Sequence, residues 1–255
     1  MSMNLIKSLF VALATYSVIP VPQFEWNEEN MKYAICFLPA VGLACGGALA
    51  AWHSLCLALE CSGVLFASGA VCVPLLITGG IHMDGYMDTV DALASHQTRE
   101  RKLEIMKDPN CGAFAVIYCG MYLLLSLGLF YELYLERTVL IFCPVFVLSR
   151  SLAALCAVTM PNARKAGMLS SYTQHAEKHS VTVATILIAI ASSCVLILLS
   201  PTAGCAVLLA ACLVVFGYRR LAIKQFGGAT GDTSGFFLQS CELCCLAGIW
   251  LGGML

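Results

Sequence analysis

Apolar runs of membrane-spanning length recur along almost the whole chain. Lipid offers backbone groups no hydrogen-bond partner, so such runs cross a bilayer as helices of about 20 residues. Six runs are long enough, and a seventh is shorter. They lie at residues 33–53, 62–81, 113–133, 138–160, 181–200 and 236–254, with the shorter run at 203–218. We therefore predict an all-α, polytopic transmembrane helical bundle with six or seven spans.

The composition excludes a water-soluble globular domain. Of the 255 residues, 60% are hydrophobic and 11% are charged, whereas about a quarter of the residues of a soluble domain are charged. The formal net charge of −1 and the lack of a long basic run argue against nucleic acid as a partner. Because neither a repeat nor a shift in composition divides the chain, we expect residues 1–255 to form a single integral-membrane catalytic domain.

Lysine and arginine are distributed unevenly between the two sides of the predicted bundle. When seven spans are threaded, all 14 of them except Arg137 and Arg150 fall on one side. Short loops rich in these residues stay in the cytoplasm. We therefore predict a multi-pass protein of the cell inner membrane, with active-site loops at residues 82–112, 161–180 and 219–235 that face the cytoplasm.

Three aspartates follow directly after the second predicted span. Asp84, Asp88 and Asp91 are spaced i, i+4, i+7, so on a helix their carboxylates share one face. Carboxylates at this spacing repel each other unless a cation lies between them, and oxygen ligands suit Mg²⁺ or Mn²⁺. The alternative, a solvated helix start, explains one aspartate but not three. The preceding Gly79 and Gly80 allow a close backbone approach or a break in the helix.

A charged amphipathic stretch comes next, at residues 99–112. Alone, it is typical of a solvated surface helix. Beside a carboxylate cluster, its cations are candidate ligands for a diphosphate. Asp108, just before a proline, is a candidate metal ligand or general base. His82, which adjoins the aspartates, is a second candidate base or a phosphate contact, although a histidine satisfied by its neighbours at a helix end is the alternative.

A glycine-rich segment at residues 224–235 is the third element. Its glycines are expected to expose backbone amides ahead of a helix, a combination that binds phosphate, while Thr230 and Asp232 offer oxygen atoms. The segment is not a Walker A sequence. We predict one shared site, because all three elements lie on the same side of the membrane. Arg150, inside a predicted span, is a further functional candidate, since an intramembrane charge is costly unless it faces the bundle interior or snorkels to the cytoplasmic end.

These three elements, in this order, resemble the cobalamin-5′-phosphate synthase family, also called adenosylcobinamide-GDP ribazoletransferase. The family hallmark reads approximately Gly-Gly-x-His-x-Asp-Gly-x-x-Asp-Thr-x-Asp, and this chain is similar to it from Gly79 through Asp91. Further similarity lies in residues 103–112, in residues 227–232 and in the amino-terminal Ile-Pro-Val-Pro. The chain departs from the family at Val18, where an arginine is common, and at Ala92, where many members have glycine.

The resemblance implies an enzyme that assembles the lower nucleotide loop of vitamin B12. Alpha-ribazole or its 5′-phosphate attacks GDP-activated adenosylcobinamide and releases GMP, with Mg²⁺ as the expected cofactor. Expected partners are these small-molecule substrates and the lipid bilayer, and assembly into a homo-oligomer is left open. The residues assigned on this basis are Asp84, Asp88, Asp91, Asp232 and Glu104 for metal, Arg99, Arg101, Lys107, Arg150, Gly227, Gly228, Thr230 and Gly231 for substrate, and Asp108 and His82 for catalysis.

Two other interpretations stay open behind this one. A CDP-alcohol phosphotransferase also holds divalent metal with aspartates on membrane helices, but its pattern has an Ala-Arg pair where this chain has Met87-Asp88. An ion-coupled transporter would place carboxylates near mid-span between repeated halves. The aspartates here follow a span instead, and no halves repeat.

Overall fold

The computed structural model of the protein describes residues 2–135 and 138–254. This part of the chain contains no strand and folds into twelve α-helices. They are α1 (Ser2–Tyr16), α2 (Glu28–Met31), α3 (Leu38–Ala58), α4 (Gly63–Thr78), α5 (Ile81–Ala94), α6 (Arg99–Ile105), α7 (Ala113–Leu135), α8 (Cys143–Thr159), α9 (Met168–His175), α10 (Lys178–Leu199), α11 (Pro201–Phe226) and α12 (Gly231–Gly253). Arg137, which was assigned to the opposite side of the membrane, lies outside the described residues.

The long helices confirm the predicted all-α, multi-pass membrane architecture. Six of them, in the described residues, are long and apolar enough to cross a membrane. They are Glu28–Ala58, Ala113–Tyr134, Val139–Thr159, Lys178–Leu199, Pro201–Phe226 and Gly231–Gly253. A seventh candidate is the pair formed by α4 and α5, which meet at 95°. Large apolar side chains on the outer surface, such as Leu124 and Leu198, suit contact with lipid.

The third predicted loop is much shorter than expected. In place of a loop at residues 219–235, α11 continues to Phe226 and α12 begins at Gly231, so that four residues connect them. The seventh predicted run, at 203–218, is likewise part of a helix of 26 residues. Hydropathy marks where a helix meets lipid, whereas a helix continues into water without changing its backbone hydrogen bonds. Both boundaries were therefore placed wrongly.

Small residues let neighbouring spans approach closely. A Cβ at Gly46 on α3 would lie 2.9 Å from the carbonyl oxygen of Cys143 at the start of α8. A Cβ at Gly252 on α12 would lie 2.5 Å from the Cα of Ala203 on α11. Any larger side chain would push these helices apart, so the glycines fix the width of the bundle.

A break between α4 and α5 sets the direction of the aspartate helix. Gly79 and Gly80 have φ angles of 61° and 79°, in the left-handed region where glycine is favoured. The Gly80 N–H donates to the carbonyl of Leu75 and ends α4. The chain then turns by 95° into α5, which packs against α7 and α12. The glycine pair thus acts as the predicted helix break and directs the aspartates to one end of the bundle.

Candidate active site

The aspartate helix α5 and the start of α12 touch backbone to backbone. A Cβ at Gly85 would lie 2.8 Å from both the Cα and the carbonyl oxygen of Asp232. A Cβ at Gly235 would lie 2.7 Å from the carbonyl oxygen of His82. The glycine after Asp84 is therefore required by the helix that crosses there. This contact brings Asp232, which is distant in sequence, beside the aspartate helix.

The four clustered aspartates form a site of strong negative charge. Asp84, Asp88 and Asp91 share one face of α5, as predicted, and Asp84 is exposed while the other two are half-buried. Asp88 lies within electrostatic range of Asp84, Asp91 and Asp232. The carboxylates nevertheless do not converge on a common position, since no three His, Cys, Asp or Glu side chains in the described residues are close enough together to bind one metal ion. Their roles as metal ligands stay predictions.

Asp91 differs from the other aspartates because its oxygens are already engaged. Its two carboxylate oxygens accept hydrogen bonds from the N–H of Gly112 at 2.6 Å and of Ala115 at 2.8 Å. These donors belong to the start of α7, where backbone N–H groups lack partners within the helix. A Cβ at Gly112 would overlap the Asp91 carboxylate. Asp91 therefore caps α7, a role that the sequence did not indicate.

Arg164 is a site residue that sequence reasoning missed. Its Nη1 donates to Oδ2 of Asp232 at 3.0 Å, and its Nη2 donates to the carbonyl of Leu103 on α6, also at 3.0 Å. The loop after α8 is held there by Ala229, whose N–H donates to the carbonyl of Pro161 while its own carbonyl accepts from the N–H of Ala163. The only signal in the sequence was that this arginine belonged to a loop on the predicted cytoplasmic side.

The glycine-rich turn is built differently from the expected phosphate loop. The N–H groups of Gly227 and Gly228 donate to carbonyls in the last turn of α11, at 3.1 Å each, so neither amide is free. For these two residues the expectation of exposed amides is wrong, because the amides cap the preceding helix. Thr230 caps α12 by exchanging hydrogen bonds with Thr233. Gly231, exposed in the first turn of α12, lines a cleft of about 70 Å³ together with Arg164.

The cations of α6 are partly committed to structural contacts. The Nε of Arg99 donates to the carbonyl of Lys224 at 3.0 Å, and the Nζ of Lys102 donates to Oε1 of Gln225 at 2.6 Å. Both contacts hold α6 against the end of α11. Arg101 forms an exposed ion pair with Glu104 at 2.8 Å. This pair, and not the aspartates of α5, is the contact that the described structure gives to Glu104.

Lys107 and Asp108 follow α6 and are both exposed. The backbone N–H and the side-chain amide of Asn110 donate to Asp108. These hydrogen bonds, the backbone one first, lower the pKa of the Asp108 carboxyl below its usual value. A lowered pKa weakens a general base, because the carboxylate then holds a proton less readily. The role of Asp108 as the base stays a prediction.

Arg150 lies inside the bundle and is paired there. Its side chain is 1% exposed, and its Nη1 bonds to Oε1 of Glu242 on α12. The hydroxyl of Ser149 donates to the same carboxylate oxygen at 2.9 Å. Of the two positions left open for this arginine, the structure shows the one in the bundle interior. Its guanidinium is taken by Glu242, however, so the structure places it in a contact between α8 and α12 and not in the predicted substrate contact.

His82 faces a cavity of about 310 Å³ beside the aspartates. The residue is 5% exposed, and its Nε2 is buried with no hydrogen-bond partner in the described structure. The ring of Tyr16 from α1 stacks on it, with 6.1 Å between centroids and 20° between planes. Asp84 and Asp232 also line this cavity. The structure thus brings together His82, two of the aspartates and the amino-terminal helix.

Comparison with known proteins assigns the chain to a family. The sequence model of the family described as Cobalamin-5-phosphate synthase matches residues 8–250, from α1 into α12. The chain belongs to the cobalamin-5-phosphate synthase family. The structure comparison adds nothing further, since no solved structure matches this chain significantly.

Several relatives in the cobalamin-5-phosphate synthase family carry the name adenosylcobinamide-GDP ribazoletransferase. The one from Lachnoclostridium phytofermentans is 40% identical over 241 residues, which cover 94% of this chain and 92% of the relative. Those from Clostridium botulinum (strain Alaska E43 / Type E3) and Geobacillus thermodenitrificans are each 30% identical, over 94% of this chain and over 95% and 94% of their own lengths.

Proposed function

We propose that this chain acts as its relatives are named, as an adenosylcobinamide-GDP ribazoletransferase. It transfers the adenosylcobinamide-phosphate group of adenosylcobinamide-GDP to alpha-ribazole or alpha-ribazole 5′-phosphate and releases GMP. The observation that carries this proposal is the family match over residues 8–250, combined with the convergence of Asp84, Asp88 and Asp232 where α5 crosses α12.

The reaction makes one bond to phosphorus and breaks another. A ribose hydroxyl oxygen attacks the phosphorus that carries adenosylcobinamide, and the bond from that phosphorus to the oxygen bridging to GMP breaks. The hydroxyl proton passes to a base, and GMP leaves with the electron pair. Such a reaction is accelerated mainly by positioning and by cations near the phosphates. The site must therefore hold a diphosphate, a hydroxyl and a proton acceptor together.

We assign the proton acceptor to His82. Its Nε2 is buried and has no partner in the described residues, and the residue lines the same cavity as Asp84. An unprotonated imidazole nitrogen in that position accepts a proton from a hydroxyl within hydrogen-bond distance. Asp108 is the weaker choice, because it is exposed and does not line the cavity that His82 shares with Asp84.

We propose Mg²⁺ as the cofactor, with Asp84, Asp88 and Asp232 as the residues that hold it. The donor set fits, because all three offer carboxylate oxygens and Mg²⁺ prefers oxygen ligands, keeping several waters of its own. Because Mg²⁺ keeps several waters, it also suits carboxylates that do not converge closely enough to surround the ion by themselves. Bound there, the ion would neutralise charge on the diphosphate. Asp91 is left out because both of its oxygens accept amides of α7.

We propose that the diphosphate lies over the exposed side of this cluster. Arg164 is held against Asp232, and Arg99 and Arg101 on α6, with Lys107 just after it, lie at the same end of the bundle. Cations beside the cluster reduce the repulsion between the carboxylates and an incoming anionic substrate. The same end carries most lysines and arginines, so we assign it to the cytoplasm.

The proposed function is tested with the full chain purified into lipid nanodiscs. We expect GMP to be released from adenosylcobinamide-GDP only when alpha-ribazole or its 5′-phosphate and Mg²⁺ are both present, and the corrinoid product to form in equal amount. CDP-diacylglycerol with an alcohol is expected to release no CMP. Release of CMP, or no GMP from any ribazole in a monodisperse preparation, would overturn the proposal in favour of another phosphotransferase.

A further inference from the structure

An apolar cavity lies against the proposed reaction centre. Its volume is about 310 Å³, and one wall is a row of alanines on α8 formed by Ala153, Ala154 and Ala157. Leu38 from α3 and Leu238 from α12 add aliphatic surface. The small side chains of α8 leave the space open, because larger residues on the same face would fill it. A cavity with such walls binds a ligand through shape and apolar contact.

The polar groups of the cavity are few and lie on two helices. His82 and Asp84 come from α5, while Asp232 and Ser234 come from the start of α12. Of these, His82 is only 5% exposed, and its Nε2 has no hydrogen-bond partner in the described residues. A buried nitrogen of this kind is normally paired, and the residue that carries it lines the cavity, so it is a candidate contact for a polar atom of a ligand.

Resting on the proposed function, we propose that this cavity binds the aromatic base of the ribazole substrate, with the ribose toward His82 and Asp84. The base of alpha-ribazole is a dimethylbenzimidazole, which is planar, uncharged and largely apolar. Alanine and leucine walls match that surface, and the aromatic ring of Tyr16 also lines the cavity. The ribose then lies beside His82 and Asp84 in the cavity wall.

The same walls exclude guanine and the corrin ring of the second substrate. Guanine carries several hydrogen-bond donors and acceptors, and aliphatic walls leave them unpaired at a large cost in affinity. The corrin ring with its amide side chains is too large for a cavity of about 310 Å³. Adenosylcobinamide-GDP therefore binds from the exposed side of the aspartates, and the nucleoside binds from the side of α8.

The inference is tested with Ala157→Leu, a substitution that places a larger side chain in the cavity wall and so reduces the cavity volume. We expect the KM for alpha-ribazole to rise about tenfold or more, which is the effect of added methyl groups in a tight apolar pocket. The KM for adenosylcobinamide-GDP should change by less than about twofold. The riboside of unsubstituted benzimidazole should be affected less than alpha-ribazole, because it lacks the two methyl groups. This shift in base preference toward the smaller base is not expected from a general loss of folding.

The matched control is the same substitution in a groove elsewhere on the protein. Ala184→Leu makes the same change on α10, in an apolar groove of about 530 Å³ that does not touch the aspartates, and it should leave both KM values unchanged. As a second test, Leu238→Ala enlarges the cavity and should admit ribosides of larger bases. The inference is overturned if Ala157→Leu leaves the KM for alpha-ribazole unchanged, or raises the KM for adenosylcobinamide-GDP instead.

Binding without turnover separates this inference from the proposed function. Labelled alpha-ribazole is titrated against the wild type and Ala157→Leu in nanodiscs, with no second substrate present. Weaker binding to the variant supports the cavity even if GMP release fails for another reason. Equal binding to both proteins overturns the inference, even if GMP release shows that the proposed function is right.

Discussion

Arg164 and Asp232 form an ion pair at 3.0 Å that joins the loop after α8 to the first turn of α12. The second guanidinium nitrogen of Arg164 donates to Leu103, so the same side chain also ties α6 to this point. Three segments that are far apart in sequence thus meet at one guanidinium. The pair orients the carboxylate that faces α5, and it is only partly exposed, at 22% and 26% of the two side chains.

We expect Arg164→Ala to reduce kcat more than it raises KM, because Asp232 loses the group that orients it. A hydrogen bond to a charged group contributes about 1.5–3 kcal/mol, which corresponds to roughly tenfold to a hundredfold in rate. Arg164→Lys keeps the charge but cannot bridge Asp232 and Leu103 together, so it should recover only part of the loss. Steady-state kinetics at several Mg²⁺ concentrations test this prediction, with exposed Lys165→Ala as the matched control. Equal activity of wild type and Arg164→Ala contradicts it.

Asp84→Asn and Asp88→Asn are expected to abolish turnover without unfolding the protein. Each change removes a negative charge and keeps nearly the same volume, so the helix face stays intact while the cation site is weakened. The measurement is GMP release over a range of Mg²⁺ concentrations, with gel filtration as the check on folding. A near-normal rate at limiting Mg²⁺ in either variant would show that the metal assignment is wrong.

Asp91→Asn should behave differently from those two variants. An asparagine keeps one acceptor oxygen for the first turn of α7 and loses the second, so the N-terminus of α7 is capped less well. Loss of a cap costs about 1 kcal/mol of stability, and we expect a lower Tm with a smaller loss of kcat. Thermal unfolding of Asp84→Asn, Asp88→Asn and Asp91→Asn in the same detergent makes the comparison. If Asp91→Asn shows a normal Tm and no turnover, Asp91 acts as a metal ligand after all.

Much of the architecture follows from short-range rules that a sequence displays. Spans are readable because lipid requires long apolar helices, and the shared face of Asp84, Asp88 and Asp91 follows from 3.6 residues per turn. The bend at Gly79 and Gly80 follows from the left-handed backbone that glycine favours. These features depend on neighbours within a few residues, so they were predicted correctly.

The partners of the charged residues depend on tertiary contacts and were not predictable in the same way. Nothing near Asp91 in sequence indicates that the amides of α7 meet its carboxylate, and Arg164 is distant from Asp232 along the chain. Arg150 is an instructive exception. Glu242 is an acidic residue in the last predicted span, and two opposite charges in apolar helices predict a buried pair, since neither is stable there alone.

We expect the end of the bundle that carries the aspartates to face the cytoplasm. In a variant that is otherwise free of cysteine, the native exposed Cys111 reports on that end, and Leu59→Cys reports on the opposite end, where α3 turns into α4. An impermeant maleimide added to intact cells should label Leu59→Cys and leave Cys111 unlabelled until the membrane is opened. The reverse labelling pattern would overturn the orientation.

The buried pair of Arg150 and Glu242 is expected to act in folding and not in substrate binding. Removing one partner leaves the other charge buried and alone, which typically costs about 3–5 kcal/mol, whereas replacing both with apolar residues is often close to neutral. Arg150→Met and Glu242→Leu should therefore each lower the Tm strongly, and the double variant should recover most of the loss. Thermal unfolding in detergent gives the coupling between the two changes. The double variant also separates the two roles, because it lacks the guanidinium but keeps a packed interior. A normal KM for adenosylcobinamide-GDP in that variant is the expected result, and a KM raised about tenfold with a normal Tm would return Arg150 to the substrate site.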